Sequence, residues 1–233
     1  MQRFLINSDL QDKIIISDKD FIHQVSKVLR GRIGDKIILF KPNSSVDNIY
    51  EIININKKNI ELKKLEKIKK ENNNFKLNLY SALPNKLSKI ELIIQKCTEV
   101  GVNKITFFNS ERSQKLIISQ NKKARLENII KEATEQSNRN GLLKLGFIDK
   151  LDFKELEKFY FLHTKDIDSK HISQIKNNEK IDLLVGPEGG FSGEEIEQFK
   201  KNGGEGIYLG GNILRIETAS ITASFYIIQN NII

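Results

Sequence analysis

Side chains able to act on a bound ligand are concentrated near the carboxyl end, at Arg215-Ile216-Glu217-Thr218. They follow a glycine-rich break, Leu209-Gly210-Gly211-Asn212-Ile213-Leu214, and a similar break, Gly186-Pro187-Glu188-Gly189-Gly190, stands shortly before it. Glycine lets main chain approach a ligand where a Cβ would clash. Two such breaks at strand ends make a pocket walled by backbone, suited to a flat, polar, largely uncharged group such as adenine. Taken singly, each is an ordinary tight turn. Neither the Gly-Lys-Ser/Thr of a phosphate loop nor the Gly-x-Gly-x-x-Gly of a dinucleotide site occurs here, which disfavours a phosphate-cradling enzyme. A second concentration is basic. His23, Lys27 and Arg30 lie at i, i+4 and i+7, so one helix face would carry them. Arg32 extends the patch and Arg3 can join it. Such a row can pair with successive phosphates, arginine bidentately; it also fits an ordinary solvated helix. A third row, Glu132, Gln136 and Arg139, has the same spacing and reads either as an exposed face or as a cleft wall.

Other catalytic signals are thin. His163 and His171 lack the spacing of a metal pair, and there is no Gly-x-Ser-x-Gly elbow. The single cysteine, Cys97, excludes a disulfide framework within the chain and any cysteine-based metal site. Its spacing from Ile90, Ile93 and Ile94 marks it as a core thiol.

The elements that must position these residues fall into two groups. Residues 3–6, 13–16, 35–40, 49–56 and 59–65 read as short strands, with one helix from 17 to about 29; strands at this spacing suggest a small barrel. Residues 69–74 contain no apolar side chain and make the best linker. From residue 75 the pattern changes to alternating strands and helices. Strands are expected at 75–81, 104–108, 159–163, 181–185 and 207–209. Helices are expected at 88–100, capped by Gly101, at 121–139, after Ser192, and at 214–228, the last with Leu214, Ile221, Phe225 and Ile228 as its inward line. This is an α/β domain with a mainly parallel sheet.

The chain has 233 residues and 39% hydrophobic content, enough for one large or two small cores. Its net charge is +8, and residues 1–75, with 15 basic against 10 acidic side chains, hold most of that excess. An anionic partner held by the amino-terminal part follows, although runs such as Lys57-Lys58 and Lys63-Lys64 also fit solvated faces. The start of the chain is too short and polar for a signal peptide, and no apolar run approaches the ~20 residues of a membrane span. A cytoplasmic protein with no membrane association is expected.

Several segments together resemble the RsmE family, the ribosomal RNA small-subunit uridine-N3 methyltransferases of the SPOUT class. They are His23 to Arg30 with Gly34-Asp35; Lys86 to Gly101, including Gln95-Lys96-Cys97-Thr98-Glu99-Val100-Gly101; Ser110-Glu111-Arg112-Ser113; Glu132-Ala133-Thr134-Glu135-Gln136-Ser137-Asn138-Arg139; Gly186 to Gly190 with Phe191-Ser192; and Leu209-Gly210 with Ile213-Leu214-Arg215 and Glu217-Thr218-Ala219. They run in order along nearly the whole chain. One departure is Gly211-Asn212, where the family carries Pro-Arg; it removes a positive charge beside the pocket and loosens the loop.

The resemblance implies an α/β fold: a PUA-like RNA-binding β-barrel over residues 1–70, and a SPOUT methyltransferase domain over 75–233 whose parallel sheet carries a deep trefoil knot. It implies a homodimer, S-adenosyl-L-methionine as cofactor, and methylation of N3 of a uridine in 16S rRNA, within an assembled small subunit. The cofactor would be held by Leu162, Gly186, Pro187, Glu188, Gly189, Gly190, Leu209, Gly210, Ile213 and Leu214. Arg215 would stabilise the developing uracil anion, and Glu217 would orient Arg215. Arg3, His23, Lys27, Arg30, Arg32, Arg112, Gln136 and Arg139 would hold RNA. The sulfonium brings its own charge, so no metal is expected. Two rival readings keep much of this frame: an RNA-binding or ribosome-assembly module without activity, and a SPOUT methyltransferase acting on another RNA.

Overall fold

The computed structural model describes residues 1–71, 74–113, 116–164, 168–176 and 178–232. The chain divides into two units, Met1–Asn72 and Asn73–Ile233. Of the linker expected at 69–74, residues 72 and 73 lie outside the described residues, and Lys69 closes a strand.

In the first unit, β1 (Arg3–Leu5), β2 (Lys13–Ile16), β3 (Lys36–Phe40), β4 (Val46–Ile55) and β5 (Ile60–Lys69) form one sheet in the order β1-β3-β4-β5-β2. β1 runs parallel to β3, and the other pairings are antiparallel. The long β4–β5 ladder is interrupted at Ile49/Tyr50 and at Ile52/Asn54. Such irregularities bend and twist a strand, and they let the sheet curl over its core. β1 and β2 remain edges, so the result is a half-barrel rather than a closed one. Alternate residues Ile37, Leu39, Ile52, Ile60 and Leu62 turn inward to meet Phe21, Ile22 and Val25. Helix α1 (Lys19–His23) starts where the Asp18 side chain accepts the Phe21 amide at 2.8 Å. Phe21 then meets Phe4 edge-on, 4.9 Å between ring centroids.

Two expectations fail in this unit. Arg3 does not join the basic patch. It is 5% exposed, pairs through Nε and Nη2 with Asp47 at 2.9 Å each, and lies over the Phe40 ring. A buried guanidinium needs this kind of bidentate partner, and its structural role removes it from the RNA candidates. The helix after α1 is also not α-helical: Gln24–Val28 forms a π-helical turn, with the Leu29 amide bonded to Gln24 O, and Arg30 follows with φ 54°. The α-helical i, i+4, i+7 ladder is therefore broken.

The second unit holds a seven-stranded sheet in the order β10-β12-β9-β11-β6-β7-β8, with every pairing parallel. Its strands are β6 (Lys76–Ala82), β7 (Lys104–Phe108), β8 (Lys144–Ile148), β9 (Phe159–Leu162), β10 (Lys170–His171), β11 (Lys180–Val185) and β12 (Glu205–Tyr208). The central strand β11 is buried from Ile181 to Val185, as a parallel strand covered on both faces should be. Its one buried carboxylate, Asp182, accepts from Asn78 Nδ2 at 2.8 Å and from the Glu157 amide at 3.0 Å.

Helices α2 (Leu87–Val100), α3 (Gln120–Gln136), α4 (Gly193–Lys201) and α5 (Ile216–Ile232) complete the unit. α2 packs against both α3 and α5, and α5 lies on β6 and β11. Ile90, Ile93, Ile94 and Cys97 face inward from α2, and burial pushes the Cys97 thiol up to about 12. Gly101 closes this helix at φ 104°, a left-handed conformation in which a Cβ would be strained. α5 departs from expectation. Ala219, Ala223, Ile227 and Ile228 are buried, whereas Leu214 lies before the helix at 38% exposure and Phe225 points outward at 51%. Polar and apolar residues are mixed around this helix, with Ser220 and Ser224 buried and Phe225 and Tyr226 exposed, so periodicity could not choose its inner face. Among the described residues no helix is long and apolar enough to cross a membrane.

Candidate active site

The sheet order does the assembling. β12, β9 and β11 are adjacent and parallel, so their carboxyl ends open along one edge. The two glycine loops leave β11 and β12, and Leu162 ends β9 between those two strands. Ligands of open parallel sheets bind at such strand ends.

The first loop is held in shape by its neighbours. The Gly190 amide donates to Pro187 O at 2.8 Å, and Gly190 has φ 68°. A Cβ on Gly186 would stand 3.2 Å from the Phe191 ring. Arg112 Nη1 donates to Gly189 O at 2.8 Å, so this expected RNA residue fastens the loop while remaining exposed. Beyond the loop, Ser192 and Glu195 form a full capping box for α4. Glu195 does more than cap. Its Oε1 accepts from Ser110 Oγ at 2.7 Å and from the Glu111 amide at 3.2 Å, and its Oε2 accepts from the Ser192 amide at 2.8 Å. The capping pattern was legible in sequence; the tie to Ser110, distant along the chain, was not.

The second loop is open. Gly210 to Arg215 are all exposed, Ile213 to 89%, and nothing lies within 4 Å of a Cβ built on Gly210 or Gly211. Residues 210–214 make no main-chain hydrogen bond to the protein among the described residues. Free main-chain donors and acceptors beside bare apolar side chains fit a flat heteroaromatic group with polar edges, which is the chemistry of adenine.

Arg215 follows. Its carbonyl accepts the Ala219 amide at 2.8 Å and starts α5, and its exposed guanidinium makes no bond to the protein among the described residues. The expected Arg215–Glu217 pairing is not formed. Glu217, 13% exposed, instead has Oε2 3.9 Å from Lys89 Nζ, and Lys89 also bonds the Glu188 carboxylate. Burial works to raise the Glu188 carboxyl, but the Lys89 ammonium and the residue's own main-chain amide together outweigh it and hold the group below its ordinary value. Lys89 carried no sequence signal beyond lying in a matched segment.

The remaining candidates separate. His23, Lys27, Arg30 and Arg32 are all exposed in the first unit, together with Val28, Leu29 and Ile33. Gln136 is exposed as the last residue of α3. Arg139 does not share its face, because α3 has ended and Asn138 turns at φ 61°. Arg139 Nη1 donates to Thr98 O and Val102 O at 2.9 Å, tying down the end of α2, and burial pushes the guanidinium down to about 10. It is a structural residue. A cleft of about 440 Å³ lies elsewhere, between the ends of β7 and β8 and the segment 116–118, lined by Phe107, Asn109 and Phe147 among others. We place the site at the glycine loops all the same, because they stand at adjacent strand ends and the main chain of 210–214 has no partner among the described residues. Among the described residues no cluster of His, Cys, Asp or Glu is placed to hold a metal.

A parallel sheet with bare-backbone loops at its strand ends, and beside them an arginine whose guanidinium makes no bond among the described residues, is the arrangement of an α/β ligand-binding domain. Comparison with known proteins makes this specific. Residues 70–228 match the RNA methyltransferase domain family. The chain is 36% identical to a ribosomal RNA small subunit methyltransferase E from Buchnera aphidicola subsp. Schizaphis graminum, across 95% of this chain and 93% of the relative. It is 32% identical to that of Rickettsia conorii, across 95% and 92%. Its fold superposes on a ribosomal RNA small subunit methyltransferase E from Neisseria gonorrhoeae bound to S-adenosyl methionine, with a TM-score of 0.81, 26% identity, and 96% and 95% of the two chains covered. The chain belongs to the ribosomal RNA small subunit methyltransferase E family.

Proposed function

We propose that this protein transfers a methyl group from S-adenosylmethionine to N3 of a uridine in 16S rRNA, in the cytoplasm and on an assembled small subunit. One observation carries the reading. The loop 210–214, at the ends of parallel strands, makes no main-chain hydrogen bond among the described residues, in a chain alike over nearly its full length to a cofactor-bound relative. The loops Gly186–Gly190 and Leu209–Leu214 would hold the cofactor by main-chain groups, with Leu162 packing between them. When bound, S-adenosylmethionine supplies an activated methyl group. What remains for the protein is positioning and charge. Arg215 stabilises the negative charge that grows on uracil as N3 loses its proton. The base must be unstacked to enter, which looped RNA makes easier.

The second unit would be threaded as a deep trefoil knot and paired as a homodimer. Phe225 and Tyr226, large apolar-faced side chains exposed on α5, support a dimer face; a solution mass of one chain would refute it. For the knot, stretching from both ends should stop short of the full contour length.

Calorimetric titration with S-adenosylmethionine should give saturable heat, and rRNA from cells lacking the gene should be missing one uridine methyl group that the purified protein restores. No heat would favour an RNA-binding module without activity. Restoration on another RNA would favour a different substrate.

The first unit reads as a PUA-like RNA-docking module. Replacing Lys27 and Arg30 together by alanine should weaken RNA binding and reduce the log–log salt slope by about 1 to 2, with cofactor affinity unchanged. An unaltered affinity and slope would remove the π-turn patch from the docking surface.

A further inference from the structure

Lys89 lies in the first turn of α2, in no loop that the functional reading uses. Its side chain is only 21% exposed. The ammonium bonds the Glu188 carboxylate of the first glycine loop, and it lies 3.9 Å from Glu217 Oε2 in the first turn of α5. That Glu217 oxygen is buried and accepts no hydrogen bond among the described residues. One cation thus stands between two carboxylates from segments distant in sequence. Exposed ion pairs contribute little, and Glu188 is exposed, but the Lys89 and Glu217 side chains are largely screened from water, so removing the ammonium leaves Glu217 in particular uncompensated. Without the ammonium, Glu188 and Glu217 would repel each other across the gap it fills.

We propose that Lys89 is a positioning residue. It locks the first glycine loop to the start of α5, and so sets the cofactor loop against Arg215, two residues before Glu217. The inference rests on the reading that these loops hold the methyl donor, and its test separates the two.

In the full chain, Lys89→Met, Glu188→Gln and the double variant are compared by S-adenosylmethionine calorimetry, single-turnover methyl transfer, and hydrogen exchange of the cofactor-free protein over 186–190. Lys89→Met should lower cofactor affinity and transfer rate by about three- to tenfold each, and the double variant should be no worse than Lys89→Met alone, the non-additivity of a shared contact. Exchange over 186–190 should quicken in Lys89→Met, and Lys89→Arg should restore most of each property. Effects that add in the double variant, or loop exchange equal to the parent, would overturn the lock. If the parent protein bound no S-adenosylmethionine, the functional reading would fall while the exchange data still decided the lock. Should Lys89→Met not fold, Glu188→Gln carries the test, since it removes the charge on the loop side alone and should quicken the same exchange.

Discussion

Arg215→Ala should slow single-turnover methyl transfer by about 10²–10³-fold, the usual cost of removing one donor aimed at a developing anion, while S-adenosylmethionine affinity stays within about threefold of the parent. The guanidinium is exposed and makes no bond to the protein among the described residues, so truncating it leaves no buried partner behind. The Arg215 main chain starts α5 by accepting the Ala219 amide, and alanine keeps that bond. The defect should therefore appear in the chemical step rather than in folding or cofactor binding. Lysine should recover part of the rate through its charge but lack the planar fork. An alanine variant with the parent's single-turnover rate would show that the uracil anion is stabilised by some other group.

Glu195→Ala should cost about 1–3 kcal/mol of stability, because the Ser192 amide and the buried Ser110 hydroxyl lose their acceptor while the Ser192 side chain still caps α4, and lower the Tm by about 2–12 °C. Glu195 is 9% exposed and accepts from Ser110, Glu111 and Ser192 together. The loss should also loosen the first glycine loop, because the Ser110–Ser113 turn carries Arg112, which holds Gly189 O. Cofactor affinity should fall along with stability, unlike in Arg215→Ala. Glu195→Gln keeps one acceptor oxygen and should lose less. Thermal melting of the three proteins checks the order; an alanine variant as stable as the parent would mean water replaces all three bonds at no cost.

Much of the fold was legible because its signals act over a few residues. Gly101 at the end of α2, Ser192 with Glu195 at the start of α4, and the buried face of Ile90, Ile93, Ile94 and Cys97 follow from local dihedral preference and helical period. Where a local signal was weak, an element was missed. β8 contains Gly146, whose missing Cβ faces Thr106 of β7, and β10 has only two residues. Where an assumed geometry was wrong, a pattern misled. The π-turn at Gln24–Val28 changed which side chains align, and α3 stopped before Arg139 could join Gln136.

Charged residues divide most sharply. Arg3 and Arg139 look like any surface arginine in sequence, yet each is held by groups far along the chain, Asp47 for the first and the carbonyls of Thr98 and Val102 for the second. The bare loops, the caps and the amphipathic faces were set by the amino-acid order itself, since backbone freedom and side-chain reach are fixed within about one turn of chain. Only the folded sheet put β9 between β11 and β12 and brought Lys89 to Glu188 and Glu217. Which strands pair and which charges meet is decided by how the entire core closes, and no short window of residues contains that information.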